Sequence, residues 1–331
     1  MSERTFYQKI GEISPDQNNE LVIVKKGERA GRKVLFCDGK PFACSEGISA
    51  DEIRMVPDEK LFRERLGHKK TLVVCGAGYV GQDVIRLGKF LGFRVLSLDD
   101  RIDFGKTAIH AGADEFYPDD FAISLTSDKI PYDEDTYFVV VTRGHRFDKE
   151  CLLEIMKHDF AYAGMMGSRA RSARMRQTLI EAGITEKKEA LLHAPIGLKI
   201  GAQTPEEIAV SIMSEIIEVK SEAPGKDVFP EEILEGIEKY REGSCVLATI
   251  MERRGSAPRA AGTRMLVGKD RSCTGTIGGG CMETEVIREA MDIMMDPDTQ
   301  TEIFTVDLTG RTGKDADMLC GGAMDVLLEI L

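Results

Sequence analysis

The chain has 331 residues, of which 42% are hydrophobic and 30% are charged. This length and apolar content are sufficient for a sizeable core divided over two or three domains, and they exclude a fibre or a chain that is disordered throughout. Asp and Glu total 56 against 44 for Lys and Arg, which gives a net charge of −12. We therefore expect the protein to bind neither nucleic acid nor anionic lipid through diffuse positive charge.

The sequence shows no sign of membrane insertion or export. No stretch approaches the roughly 18 continuous apolar residues of a membrane span, and the first residues lack the apolar region of a signal peptide. The eight cysteines are spread over the whole length without a Cys-x-x-Cys pair, which is typical of free thiols rather than of a disulfide framework. We expect a soluble, cytoplasmic protein without a membrane partner.

Residues 1–68 contain a weak internal repeat. Residues 21–36 follow the pattern strand, glycine-basic turn, strand, and they can be aligned with residues 246–266 near the C-terminus. We predict that residues 1–68 form a β-rich segment, and that this segment is a candidate degenerate copy of the last domain. A chance match of two short strand pairs is the alternative.

The central region alternates strands and helices. An apolar strand over 71–75 leads through a glycine-rich turn into a helix, and further strands are predicted at 93–98, 137–142 and 161–166. Continuous apolar strands are typical of a parallel sheet that is buried on both faces. We predict an α/β fold over residues 69–220, a Rossmann-like doubly wound parallel sheet.

A polar segment broken by Pro-Gly predicts a linker over residues 221–229. Beyond it, residues 230–331 show a helix, three strands, a long helix and two further strands. Strands grouped around a single long helix are typical of a smaller α+β domain.

Three glycines follow the first central strand in the spacing Gly76-x-Gly78-x-x-Gly81. The first allows a tight turn, the second lets backbone amides approach a phosphate, and the third lets the helix pack closely on the strand. Asp99, at the end of the next strand, is placed to accept hydrogen bonds from ribose hydroxyls. The alternative is a Rossmann-shaped scaffold that has lost or exchanged its ligand.

Two further candidate positions lie where parallel strands end. Ser168 and Arg169 follow the strand at 161–166 and open a helix with four arginines, so Arg169 is a candidate ligand for a phosphate. His145 follows the strand at 137–142 and is a candidate acid, base or metal ligand. The alternatives are a solvated basic helix face and a structural histidine.

The C-terminal domain carries candidate thiol chemistry. Arg259 lies in a basic turn, Gly279 and Gly280 precede Cys281 at the start of the predicted long helix, and Cys320 is followed by two glycines. A helix N-terminus favours a thiolate, which binds soft metals or carries sulfur. Cys281 and Cys320 are therefore candidate metal ligands, and buried structural cysteines are the alternative.

Longer strings in the sequence resemble the xanthine dehydrogenase accessory proteins of the XdhC/CoxI type. The central region resembles their Rossmann-like domain in GAGYVG, TRGHRFD, AGMMGSRARSARM and HAPIGLKIGAQTPEEIAVSI. The C-terminal region resembles their other domain in GSAPRAAGTRMLV, GTIGGGCMETEV and CGGAMDVLLEIL. The order departs from the common one in this family, because the glycine-cysteine domain usually comes first and here comes last.

The resemblance implies a non-catalytic or weakly catalytic maturation factor. Such a factor binds the molybdenum cofactor (molybdopterin) as cargo, protects it while its sulfido ligand is installed, and delivers it to a molybdenum hydroxylase. The resemblance places Cys281 and Cys320 on the family's glycine-flanked cysteines. It also implies a homodimer, with a cysteine desulfurase as a further candidate partner.

Two other functions stay open at this point. One is an NAD(P)-dependent oxidoreductase that binds its nucleotide at the glycine loop and uses His145 as acid or base. The other is a docking module for a molybdoenzyme that holds no small ligand.

Overall fold

The computed structural model describes residues 1–14, 17–67, 69–222, 228–255, 259–296, 298–307 and 322–331. These residues form two compact units. The first unit combines Met1–His68 with Lys226–Leu331, and the second is Lys69–Gly225. Residues 1–68, predicted as a β-rich segment, and residues 230–331, predicted as a domain, lie in one unit because they share a core.

The N-terminal half of the first unit is a four-stranded antiparallel sheet with the strand order β3-β2-β1-β4. Its helices begin with side-chain caps: Ser2 accepts a hydrogen bond from the Thr5 amide, and Ser49 and Glu52 form a capping box. The elements of this half are α1 (Glu3–Ile10), β1 (Asn19–Val24), β2 (Lys33–Cys37), β3 (Lys40–Cys44), α2 (Ala50–Arg54) and β4 (Leu61–Leu66).

The second unit is a six-stranded parallel sheet with helices on both faces, which confirms the predicted fold class. Its elements are β5 (Thr71–Cys75), α3 (Tyr79–Phe90), β6 (Arg94–Leu98), α4 (Gly105–Ala111), β7 (Glu115–Tyr117), α5 (Phe121–Leu125), β8 (Thr136–Val140), α6 (His145–Ile155), β9 (Tyr162–Met165), α7 (Arg169–Glu181), α8 (Glu186–Glu189), β10 (Leu192–His193) and α9 (Pro205–Glu222).

The strand order of this sheet, β10-β9-β8-β5-β6-β7, contains a topological switch point. The chain runs outward from β5 through β6 to β7 and then returns to β8 on the other side of β5. Open α/β sheets bind ligands at the carboxyl ends of the strands beside such a point. The residues after β5 and β8 therefore occupy the position where a ligand is expected.

The C-terminal half of the first unit is a five-stranded antiparallel sheet with the order β13-β12-β11-β15-β14. It confirms the predicted α+β arrangement around one long helix. Its elements are α10 (Glu231–Lys239), β11 (Cys245–Arg254), β12 (Arg264–Gly268), β13 (Cys273–Gly275), α11 (Cys281–Met295), β14 (Thr301–Asp307) and β15 (Ala323–Ile330). Residues 223–227 of the predicted linker lie outside the described residues.

The two sheets of the first unit share one hydrophobic core, which accounts for their joining. This core receives buried side chains from both sheets and from α1 and α10. They include Phe6, Tyr7, Leu21, Leu35, Phe62 and Leu66 from the N-terminal half, and Ile233, Ile237, Leu247, Leu266, Leu327 and Leu331 from the C-terminal half.

The 18-residue α9 is the longest helix of the second unit, and it carries several carboxylates. Across the residues that the structure describes, no helix combines the length and the apolar character needed to cross a membrane.

Candidate functional site

The glycine loop between β5 and α3 depends on two of its glycines for packing. Gly76 has a φ of +116°, and a Cβ there would lie 2.5 Å from the Val141 carbonyl oxygen. A Cβ on Gly81 would lie 1.9 Å from the Gly76 carbonyl oxygen. A Cβ on Gly78 would meet no protein atom within 4 Å. Gly78 is therefore the open position, next to the uncapped N-terminus of α3.

Asp99 stabilises this loop through hydrogen bonds to its carboxylate. Its carboxylate accepts hydrogen bonds from the Ala77 amide at 2.8 Å and from Arg101 Nε and Nη2 at 2.7 Å each. The side-chain hydrogen bond from Arg101 to Asp99 raises the pKa of Arg101. Because Asp99 is only 1% exposed, a ribose hydroxyl could reach it only by displacing these partners.

The segment after β8 lies beside the glycine loop, because β8 and β5 are neighbours. His145 is exposed and is the first residue of α6, whereas the apolar pattern of the sequence predicts a helix only from Asp148 to His158. Gly144 is the N-cap and provides no capping side chain, so the sequence carried no signal for this boundary. Arg143 is paired with Asp100, with Nη2 and Oδ2 2.6 Å apart.

Asp148 is a buried carboxylate that sequence reasoning missed. Thr142 Oγ1 and the Arg171 guanidinium both donate hydrogen bonds to it, so it ties the end of β8 to α6 and α7. Burial raises the pKa of Asp148, although the bonds from Thr142 and Arg171 act in the opposite direction. Its place in the first turn of α6, where acidic residues are favoured, is the sequence signal that could have identified it.

The four arginines of α7 separate into two kinds. Arg171 binds Asp148, and Arg176 donates to Glu189 and to the Leu192 carbonyl oxygen. Both therefore have structural roles. Arg169 and Arg174 are exposed and form neither an ion pair nor a side-chain hydrogen bond with the part of the chain that the structure describes. Helical spacing alone keeps the four arginines from all reaching one ligand, and the structure shows two of them bound within the protein.

Arg169 lines a cavity of about 680 Å³ between the start of α7 and the segment that follows β10. Ser168 is the N-cap of α7 and accepts a hydrogen bond from the Arg171 amide at 3.2 Å. Lys199 also lines the cavity, is exposed, and has no partner among the described residues. The lining contains no Asp or Glu. The cavity is thus a local basic site in a chain of net charge −12.

The C-terminal half places its glycine-cysteine turn at the start of a helix. Gly278, Gly279 and Gly280 have φ angles of +132°, +76° and +65°. Residues with a Cβ atom rarely adopt such positive φ angles. The helix α11 then begins at Cys281, and Glu283 accepts a hydrogen bond from the Gly279 amide at 3.0 Å. The three glycines are therefore required by the backbone itself.

The predicted roles of Arg259, Cys281 and Cys320 stay predictions. Arg259 is exposed. The side chain of Cys281 and all of Cys320 lie outside the described residues. Within the described residues, no group of three or more His, Cys, Asp and Glu side chains is placed to hold a metal ion.

Two family models match parts of this chain. Residues 72–216 match the XdhC Rossmann domain, and residues 240–307 match the XdhC and CoxI family. The Rossmann domain thus precedes the second domain in this chain.

Curated relatives match about half of the chain. The uncharacterized protein YqeB of Escherichia coli K12 is 31% identical over 160 residues, which are 48% of this chain and 29% of that protein. A probable xanthine dehydrogenase component of Bacillus subtilis 168 is 28% identical over 163 residues, which are 48% of this chain and 46% of that protein. The matched region is less than half the length of either relative.

Among solved structures, a xanthine dehydrogenase from Bacillus halodurans superimposes with a TM-score of 0.52 at 23% identity. The match covers 62% of this chain and 60% of that chain. At this identity the similarity concerns the fold.

Proposed function

Because the chain belongs to the XdhC and CoxI family, we propose that it is an accessory factor for a xanthine dehydrogenase or a related molybdenum hydroxylase. In this proposal it binds the molybdenum cofactor as cargo and assists its maturation and insertion. The observation that carries the proposal is the basic cavity beside Arg169, in a domain that matches the family's Rossmann domain. A strongly acidic chain needs such a local site to hold a phosphorylated ligand.

The phosphate of the cargo would bind at the carboxyl edge of the parallel sheet. Arg169 and Lys199 supply positive charge that no described residue neutralises, and the N-terminus of α7 supplies backbone amides. The glycine loop lies two strands away, at roughly 10 Å given the usual strand spacing. An extended ligand with a phosphate at one end could reach from the cavity to the open face of Gly78.

The thiol chemistry would belong to the C-terminal half. A cysteine at the first position of a helix is favoured as a thiolate, and a thiolate binds soft metals such as molybdenum or carries sulfur. Cys281 occupies that position in α11. We assign molybdenum or sulfur contact to Cys281 and Cys320, and a cysteine desulfurase would supply the sulfur.

The alternative of an NAD(P)-dependent oxidoreductase receives less support from the geometry. A nicotinamide dinucleotide at the glycine loop would be expected to use Asp99 for its ribose, and both Asp99 oxygens are engaged by Ala77 and Arg101. His145 is exposed at a helix start and has no hydrogen-bonded partner among the described residues that would orient it as an acid or base.

One experiment separates these functions. The purified protein is denatured, the released material is oxidised, and the products are examined by fluorescence and by mass. We expect a fluorescent pterin; a nicotinamide would instead establish the oxidoreductase. Addition of the cofactor-loaded protein to an apo molybdenum hydroxylase should then restore hydroxylase activity. The proposal would be refuted if the released material contained neither a pterin nor a nicotinamide and the protein had no effect on the apo enzyme.

A further inference from the structure

The two halves of the first unit have the same strand arrangement. Four strands of the C-terminal sheet, β13-β12-β11-β15, repeat the order β3-β2-β1-β4 of the N-terminal sheet. The registers agree as well. Leu21 on β1 is paired with Leu35 and Glu64, and the residues in the same places on β11, β12 and β15 are Leu247, Leu266 and Glu329.

The turns between the first two strands close with the same hydrogen bonds. The Gly31 amide donates to the Val24 carbonyl at 2.9 Å, and the Gly262 amide donates to the Ile250 carbonyl at 2.8 Å. Both glycines have positive φ angles, +83° and +91°. The first residue of the following strand is basic in each half, Lys33 in β2 and Arg264 in β12.

The helices that follow the third strands also correspond. Five residues separate β3 from α2, and five separate β13 from α11. In each half a carboxylate in the first turn of the helix bonds back to the preceding turn. Glu52 accepts from the Ser49 amide at 2.9 Å, and Glu283 accepts from the Gly279 amide at 3.0 Å. By this count Ala50 stands in the N-terminal half where Cys281 stands in the C-terminal half.

Buried ion pairs join the halves in a reciprocal way. Lys33 of the N-terminal half binds Glu329 of the C-terminal half, and both side chains are 0% exposed. Arg264 of the C-terminal half binds Glu64 of the N-terminal half, with Nη1 and Oε1 2.9 Å apart. Lys33 corresponds to Arg264, and Glu64 corresponds to Glu329. In each half, therefore, the basic side chain forms an ion pair with the acidic side chain of the other half.

The turn glycines show the same exchange. A Cβ on Gly31 would lie 2.3 Å from Thr301 Cγ2 on β14 and 3.3 Å from Leu327 Cδ1 on β15. A Cβ on Gly262 would lie 3.3 Å from Glu64 Oε1 and 3.6 Å from Phe62 Cζ, both on β4. By the register, Phe62 corresponds to Leu327. Each glycine therefore approaches the corresponding strand of the opposite half, as expected for a contact between two like objects.

We propose that the first unit is a fused pair of two copies of one fold, in which the N-terminal half fills the surface where the C-terminal half would bind a second copy of itself. Each copy carries one base and one acid at fixed positions, so either copy is complementary in charge to any other copy. Only the C-terminal copy keeps the glycine-cysteine turn, which gives one such turn per chain. A homodimer of the full chain would have to use a different surface.

The test uses full-length chains with reversed charges in one half. One variant carries Lys33→Glu and Glu64→Lys; the other carries Arg264→Glu and Glu329→Lys. Each variant alone faces like charges at both buried pairs, so we expect its thermal midpoint to fall by about 10 °C or more. The two variants are then co-expressed with different tags. The reversed N-terminal half of one chain can pair with the reversed C-terminal half of the other chain, and the two unchanged halves can pair with each other.

All variants carry Glu3→Gln, because Glu3 of the N-terminal half also binds Lys33 and would face a second carboxylate after Lys33→Glu. We expect the co-expressed chains to copurify in a 1:1 ratio with a thermal midpoint within a few degrees of that of the Glu3→Gln protein. The variant with all four charge reversals is the matched control, and it should recover the midpoint of the Glu3→Gln protein within a single chain. Three results would each overturn the proposal: single variants as stable as the Glu3→Gln protein, a fourfold variant that fails to recover, or a co-expressed pair no more stable than either variant alone.

Discussion

Substitution of Gly78 by valine tests the glycine loop as a ligand site, because this position separates binding from folding. Its φ of −67° suits any residue, and a new side chain would meet no protein atom within 4 Å of the Cβ. Loss of glycine at an N-cap costs about 1 kcal/mol. For a unit of this size that corresponds to a lower thermal midpoint by about 2 to 4 °C.

The effect on binding should be much larger. A phosphate held by backbone amides gains about 1.5 to 3 kcal/mol from each charge-assisted hydrogen bond, so loss of one bond weakens affinity about ten- to a hundredfold. The assay is titration of the folded Gly78→Val protein with molybdopterin and, separately, with NAD. The ligand whose affinity falls identifies the occupant of the loop.

Gly81→Ala is the matched control, since its Cβ would lie 1.9 Å from the Gly76 carbonyl oxygen. Backbone atoms cannot move away as a flexible side chain can, so we expect a loss of about 3 kcal/mol or more in the free energy of unfolding. Folded Gly78→Val protein that binds both ligands with wild-type affinity would refute the loop as a binding site and leave it as scaffold.

Three further predictions concern single side chains. Arg169→Ala should weaken binding of molybdopterin about ten- to a hundredfold, whereas Arg174→Ala, equally exposed and unpaired among the described residues, should change it little; equal effects that high salt abolishes would indicate diffuse attraction instead. Cys281→Ser should fold and still bind the pterin, yet the loaded variant should fail to restore activity to an apo hydroxylase, and wild-type activity would remove the cysteine from the mechanism. Burial raises the pKa of Glu329 to about 7, although Lys33 acts to lower it. Because the folded value lies above the unfolded value of about 4.3, the stability that this group contributes is complete at low pH and is lost progressively as the pH rises from about 4.3 to the folded value. Denaturant titrations between pH 5 and 8 should show this decline in wild type and a flatter profile in Glu329→Gln; parallel profiles would contradict the assignment.

The parallel sheet could be predicted from the sequence because its central strands are continuous apolar runs after a single threonine. In β5 and β8 every residue is buried, so no alternation obscures the pattern. The short elements between β6 and β8 gave no such signal. β7 has three residues at the edge of the sheet, and edge strands of this length depend on tertiary pairing rather than on local propensity.

The candidate site was predictable only in part, because its polar contacts span long sequence distances. The α7 arginines look alike in the sequence, and only the positions of Asp148 and Glu189 distinguish structural from unpaired guanidinium groups. The same holds outside the site for the buried pair between the halves of the first unit, since Lys33 and Glu329 are 296 positions apart. No local pattern identifies such a pair, since each side chain by itself is typical of a solvated surface.

The proposed duplication separates, within one chain, what the fold requires from what the chemistry requires. Both halves keep the strand register, a left-handed glycine at the first turn, a buried base, a buried acid and a carboxylate that bonds back from the helix. These shared features are sufficient to build the half and to bind its partner. By the same count the three left-handed glycines and Cys281 of the C-terminal half correspond to Gly47, Ile48, Ser49 and Ala50, so the N-terminal turn has one left-handed glycine, Gly47 with a φ of +75°, and no cysteine. Since the same strand arrangement forms around a turn with one left-handed glycine in one half, the strand arrangement does not depend on the three-glycine turn before Cys281, and cargo contact is the function that we propose for that turn.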